Sequence, residues 1–315
     1  MRILFAGTPA LAVPSLQKAT HACEVAAVLT SPDRPSGRGR SPVPSPVKAA
    51  ALSLGIPVLT PERLDAAVLE HVRALLPDLL VVAAYGKIFR QLFLDMFPMG
   101  GINLHPSLLP RYRGPSPVSA AILNGDPETG VTIQRMALKF DTGDILAQER
   151  HPLRGNETTA TLTDALSVQG AEMLGRVLSK LAAGHPPIAV VQNDDDASYC
   201  RILNKEDGIV SWDEPAAVLE RKIRAFSPWP KAATLLSGET LLLLKSHLYP
   251  DSLCTDMAPG VPGDVLKGDT QHGLLVATGN GILALERLQL QFKKPLDWRA
   301  FLNGNPGIIK TRLGV

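Results

Sequence analysis

The chain has little cysteine: three residues in 315, Cys23, Cys200 and Cys254, scattered and without a CxxC pair. Such usage builds no disulfide framework, suggests no zinc site and fits a reducing cytoplasm. No apolar run approaches the ~18 residues that span a bilayer, so no membrane association is expected. The start, MRILFAGTPALAVP, has too short an apolar core for a signal peptide and reads as a first strand. Net charge is only +2, so nucleic-acid contact would require local clustering of cations. Aromatics are sparse at 5%, but hydrophobic residues reach 45% and charged residues 20%, which supplies buried cores and argues against disorder.

Residues 3–6 form an apolar run ended by Gly7-Thr8-Pro9, followed by a helix over 10–20 with Thr8 as its cap and Pro9 in its first turn. Strands are expected at 25–29 and 57–59, helices at 47–54 and 62–75, and a Pro/Gly/Arg-rich loop over 31–46. Residues 79–84 are continuously apolar, as in a strand covered on both faces. A strand over 101–104, a helix over 117–123, strands at 130–136 and 145–151 and a long helix over 159–183 complete the pattern. This alternation predicts an α/β fold: a doubly wound, mostly parallel, Rossmann-like sheet with right-handed crossovers. Ligands bind beyond the carboxyl ends of such strands, and His105 sits at one of them. Gly7-Thr8-Pro9 is not GxGxxG, so no nicotinamide dinucleotide is implied, and no ligand set suggests a metal.

The pattern changes over 184–200, where two prolines and three consecutive aspartates read as a connector. Beyond it, β-like pieces at 209–212, 233–236, 241–244, 274–277 and 281–290 accompany one helix over 215–225. The expected division is a Rossmann-like domain over 1–188, a linker over 189–207 and a smaller OB-like β-barrel over 208–315. Trp229 is assigned to core or hinge packing.

The chemistry-bearing stretch is GINLHPSLLPRYRGP over 101–115, followed by ETGVTIQRMALKFDTGDIL over 128–146. Strand alternation places Asn103 and His105 on one face. Asp141 follows 36 positions after the histidine, in an Asp-Thr-Gly-Asp turn. An amide donor, a titratable ring and a carboxylate are the parts needed to move an acyl group through a tetrahedral intermediate. A lone strand-end histidine is more often a structural hydrogen-bonding group, and a lone DTGD an ordinary hairpin. The Pro-rich loop that follows His105 suits neither helix nor strand and would border a site without filling it.

These segments resemble the folate-dependent formyltransferases. The resemblance implies that 10-formyltetrahydrofolate is the formyl donor, that no metal is needed, and that Asn103, His105 and Asp141 are catalytic. In that reading Asn103 donates to the oxyanion, His105 acts as a protonated donor or as an acid to the leaving folate nitrogen, and Asp141 holds the imidazole, favours its charged form and could help take the proton from the attacking amine. Ser107, Leu108, Leu109 and Pro110 match the loop that borders the folate. Pro106 departs from the glycine that many members carry. The motifs FAGTP, PDRP, GRG, PSPVK, AYG, RAF, PWP and ATGNG extend the likeness over nearly the whole chain, toward the branch whose acceptor is methionyl initiator tRNA. Residues 31–48 hold Arg34, Arg38, Arg40 and Lys48 against Asp33 alone. Taken alone that is a solvated loop. The resemblance implies contact with the tRNA acceptor stem, through Arg38 with support from Arg34 and Arg40. Lys293, Lys294, Arg299, Lys310 and Arg312 could guide RNA if they cluster. The alternatives are formyl transfer to a nucleotide-linked amino sugar, and a non-catalytic RNA-binding relic of the enzyme fold. Nothing in the sequence demands more than a monomer.

Overall fold

Uninterrupted apolar runs build the centre of the sheet, because strands covered on both faces have no polar side to alternate with. The computed structural model describes residues 1–36, 41–253 and 260–314. Elements over the first part of the chain are β1 (Arg2–Gly7), α1 (Val13–Ala22), β2 (Glu24–Leu29), β3 (Arg34–Ser36), β4 (Ser41–Val43), α2 (Pro46–Ser53), β5 (Val58–Leu59), α3 (Ala66–Ala74), β6 (Leu79–Ala83), α4 (Gln91–Leu94), β7 (Gly101–His105), α5 (Pro117–Asn124), β8 (Glu128–Arg135), β9 (Ile145–Pro152) and α6 (Thr159–Ala182). They give a seven-stranded sheet in the order β5-β2-β1-β6-β7-β8-β9. All five residues of β6 are buried. Pairing is parallel from β5 to β7. It turns antiparallel at β8 and β9, which sets Gln134 opposite Asn103 and Thr132 opposite His105. Directly opposed residues share a face, so these four side chains form one patch.

Several local expectations are revised. Thr8 is not a helix cap: a 3-10 turn at Ala10–Ala12 precedes α1, which has Ala12 at its cap and a proline in its first turn. The Thr8 hydroxyl instead lies 3.1 Å from that of Ser31 and 3.3 Å from the Tyr85 carbonyl, tying together the ends of three strands. Helix α3 starts at Ala66, later than residue 62, because Asp65 caps it by accepting from the Val68 N–H at 3.1 Å. Within the loop over 31–46, β3 and β4 pair antiparallel.

The chain divides into two compact units: Met1–Pro117, Glu128–Pro152 and Thr163–Cys200 form the first, and Val118–Pro127, Leu153–Leu162 and Arg201–Val315 the second. The second contains α7 (Ala216–Ala225), β10 (Ala232–Leu236), β11 (Glu239–Leu248), β12 (Val265–Asp269), β13 (Gly273–Ala277), β14 (Ile282–Leu290), β15 (Leu296–Asp297) and α8 (Trp298–Gly304). Its antiparallel sheet runs β10-β11-β14-β13-β12, with β15 on β14. The C-terminal stretch joins both end strands. Val265 N–H donates to the Thr311 carbonyl at 2.9 Å, Leu313 N–H to Gly263 at 2.8 Å and Gly314 N–H to Leu235 at 2.9 Å. Edges that would otherwise be open are thereby covered, giving a barrel-like sheet. Residues 209–212 make a single bridge, Ile209 to Ala233, instead of a strand. Trp229 is 57% exposed and is not a core residue.

Leu313 is only 2% exposed within this closure. Leu313→Ala should cost about 2–4 kcal/mol in chemical denaturation of the full chain. A loss below ~0.5 kcal/mol, the range of an inert surface change, would show that the C-terminal stretch does not hold the sheet closed.

Candidate active site

The end of β7 delivers His105 into the interior at 4% exposure. Its Nε2 lies 2.9 Å from the Tyr112 carbonyl. A carbonyl only accepts, so Nε2 carries the proton, and Nδ1 of the neutral ring is bare. Nδ1 faces Asp141 Oδ1 at 3.6 Å, beyond hydrogen-bond length. Burial lowers the pKa of His105, outweighing the upward pull of Asp141 and of the Tyr112 carbonyl. The balance favours a neutral resting ring: Asp141 pulls toward the charged form as expected, and burial outweighs it. The sequence revealed the carboxylate partner but not the degree of burial that overrides it.

Asp141 sits in the β8–β9 connection at φ +54°, a left-handed conformation. Its Oδ1 accepts from Gln134 Nε2 at 2.7 Å and, more weakly, from Asn103 Nδ2 at 3.4 Å. Its Oδ2 accepts from the Gly114 N–H at 2.9 Å. The structure thus brings Asn103, His105 and Asp141 together. Two glycines are required by this geometry. A Cβ at Gly143 would lie 1.8 Å from the Arg135 carbonyl oxygen, and one at Gly114, whose φ is +117°, 2.3 Å from that of Cys200.

Ser107–Pro110 is fixed from behind. The Thr132 hydroxyl donates to the Ser107 carbonyl at 2.7 Å and accepts from Leu109 N–H at 3.2 Å and Gln148 Nε2 at 2.9 Å. Gln148 Nε2 also reaches the Leu109 carbonyl at 2.9 Å. Ser107 and Leu109 are buried, whereas Leu108 and Pro110 are partly exposed. Gly130 makes room for this loop, since a Cβ there would lie 2.5 Å from a Leu108 methyl. Gly114 belongs to the segments that carry the family resemblance, whereas neither Gln134 nor Gln192 is marked in the sequence as a site residue. Gln134 could have been found by alternation, opposite Asn103. Gln192 lies in the aspartate-rich connector, where no pattern marks it.

Of the arm residues, Arg34 is exposed and pairs with Glu62 at 3.2 Å. Such a surface pair contributes little and leaves the guanidinium available. Lys48 pairs with Asp33 at 2.8 Å. Arg38 and Arg40 lie outside the described residues. In the second unit Arg312 pairs with Asp264 at 3.1 Å, and Arg299 donates to the Thr270 carbonyl at 2.7 Å. Among the described residues no helix is long and apolar enough to cross a membrane, and no group of three or more His, Cys, Asp or Glu is placed to hold a metal ion.

The formyl transferase family model matches residues 1–178, and the model of the formyl transferase C-terminal domain matches residues 202–306. A methionyl-tRNA formyltransferase of Treponema denticola is 44% identical, over 98% of this chain and 98% of its own length. One from a Roseiflexus species is 46% identical, over 100% of this chain and 95% of its own. Among solved structures, HypX from Aquifex aeolicus in complex with tetrahydrofolic acid matches with a TM-score of 0.65 at 18% identity, covering 98% of this chain and 48% of that one. That last likeness is one of fold.

The lowered pKa of His105 has a stability consequence. Between the folded pKa and the ordinary value near ~6.5, the unfolded chain binds more protons, so stability falls as pH drops through that window. Denaturation at about pH 7.5 and about pH 5.5 should show a larger loss for the wild type than for His105→Asn. Equal losses would contradict a histidine held neutral by burial.

Proposed function

The chain belongs to the methionyl-tRNA formyltransferases, and on that footing we propose how Asn103, His105 and Asp141 move a formyl group from 10-formyltetrahydrofolate to the α-amine of methionyl initiator tRNA. One observation carries the reading: the Nε2 proton of His105 is committed to Tyr112, and its bare Nδ1 stands beside a carboxylate.

The folate co-substrate supplies a nitrogen-borne formyl group, whose carbonyl oxygen gains negative charge under attack by an amine. The donor set fits that chemistry. Asn103 has one amide hydrogen toward Asp141 and a second to offer to such an oxygen. Removing a donor of this kind typically costs about 2.7–4 kcal/mol of transition-state stabilisation. His105 Nδ1 takes the proton that the attacking amine loses as the new C–N bond forms, and gives it to the folate nitrogen as the old C–N bond breaks. Burial keeps the ring neutral, so the base is free at the outset. Asp141 then stabilises the imidazolium at the moment it forms. In the folate-bordering loop Ser107–Pro110, the partly exposed Leu108 and Pro110 would meet the ligand, while buried Ser107 and Leu109 fix the loop's shape.

On the acceptor side, we assign the acceptor stem to the arm of residues 31–48, with Arg38 the principal phosphate contact and Arg34 and Arg40 in support. Residues 1–188 would carry the chemistry, 189–207 the connection and 208–315 a further surface for RNA. We place the activity in the cytoplasm and on a monomer.

Incubated with 10-formyltetrahydrofolate and methionyl initiator tRNA, the chain should yield formylmethionyl-tRNA; tRNA binding without formylation would instead mark an RNA-binding relic. His105→Ala should lower kcat by at least ~100-fold with tRNA affinity kept. Wild-type turnover in that variant would remove His105 from the mechanism. Arg38→Ala should weaken tRNA binding and reduce the slope of its salt dependence by about one. An unchanged slope would take Arg38 off the phosphate backbone.

A further inference from the structure

Among the described residues, Arg113 is the largest fully buried side chain, at 1% exposure. Its guanidinium consists only of donors. Nε and Nη2 reach Gln192 Oε1 at 3.1 and 2.9 Å, Nη1 reaches the Tyr199 hydroxyl at 3.2 Å, and Nη2 lies 2.8 Å from Asp194 Oδ1. The Gln192 amide therefore has one possible orientation, with oxygen toward Arg113 and nitrogen away. That nitrogen donates to the carbonyls of Asp141 at 2.9 Å and Gly143 at 2.7 Å and lies 3.3 Å from Gln134 Oε1. The Gln134 amide is oriented in turn. Its oxygen faces Gln192, which leaves its Nε2 to donate to Asp141 Oδ1 at 2.7 Å.

We propose that Arg113 and Gln192 are positioning residues for formyl transfer: a one-way relay from Arg113 through Gln192 and Gln134 sets the donor at Asp141 and so holds that carboxylate against His105 Nδ1. The proposal rests on the reading that Asp141 acts in the transfer. Stability alone does not call for such a relay. A buried polar or ionic cluster is often no more stabilising than apolar side chains of the same volume. Arg113 already has a counter-charge in Asp194, whose side chain is 83% exposed. The remaining polar groups add a direction, and that direction ends on the Asp141 carboxylate. The same amide of Gln192 also grips the Asp141 backbone, so carboxylate and main chain are set by one side chain.

Gln192→Glu separates the two roles. A glutamate keeps an acceptor for Arg113, so the buried cation stays paired, but it offers no donor to Asp141, Gly143 or Gln134. Gln134 would then turn its nitrogen toward the new carboxylate and its oxygen toward Asp141. The melting temperature should fall, since the Asp141 and Gly143 carbonyls lose their donor, but KM for both substrates should hold, while kcat falls about 10- to 100-fold. Gln134→Met should lower kcat similarly, and adding Gln192→Glu to it should cost clearly less than the product of the two single losses, since part of the Gln192 effect runs through Gln134. A wild-type kcat in Gln192→Glu, or fully additive losses, would overturn the relay. Should Gln192→Glu fail to fold, Gln134→Met decides alone: reduced kcat with KM retained supports the relay, and wild-type kcat overturns it. Asp141→Asn is assayed in parallel. Wild-type turnover there would sink the underlying reading of the site. An inactive Asp141→Asn beside a fully active Gln192→Glu would sink the relay only.

Discussion

A backbone carbonyl decides where the proton of His105 sits. Tyr112 holds its own carbonyl in place from a left-handed conformation at φ +58°, which a non-glycine residue keeps only when its surroundings over-determine it. Those surroundings are visible. The Tyr112 N–H donates to the Ser198 hydroxyl at 2.9 Å, Arg113 N–H to the Ser198 carbonyl at 2.8 Å and Cys200 N–H to the Arg113 carbonyl at 2.9 Å. The stretch around residue 198 thus acts as a short ladder for the loop after β7. Without it, nothing would commit Nε2 to one acceptor, and the bare Nδ1 would not be assured.

The rest of the site follows from where the sheet changes direction. Parallel pairing through β7 supplies the strand end; the antiparallel β8 sets Gln134 and Thr132 beside Asn103 and His105. Thr132 then fixes the Ser107–Pro110 loop, and Gln134 fixes the carboxylate. A one-residue slip of β8 would turn both side chains to the opposite face and dismantle the loop and the acid together. The glycines at 114, 130 and 143 serve the same end, each allowing an approach that a Cβ would block.

Much of this was legible in the sequence. The strands of the first unit announce themselves as apolar runs, and Asn103, His105 and Asp141 stand in motifs with a chemical rationale. What escaped is tertiary in origin. Burial of His105 is a sum over neighbours distant in sequence, so the carboxylate partner was readable but the winning desolvation was not. Gln192 sits beside Asn193 and a run of aspartates, in a stretch that reads as a connector, yet it packs under the site. Strand β12 carries VLKGD, too polar and short to stand out, and it is ordered by hydrogen bonds from the C-terminal stretch. Thr8 looked like a cap because it precedes a proline; the strand ends competed for its hydroxyl and won. Trp229 is a large aromatic of the kind that fills cores, and its exposure removes the core half of that assignment.

Neutral burial and a fixed tautomer together give the site its logic: a base that is free before reaction, beside a carboxylate that stabilises its charged form during reaction. The most direct check is nitrogen NMR of the His105 imidazole in the labelled chain at neutral pH. A protonated Nε2 with a bare Nδ1 is the expected pattern. A proton on Nδ1, in either the other neutral tautomer or a resting imidazolium, would contradict it.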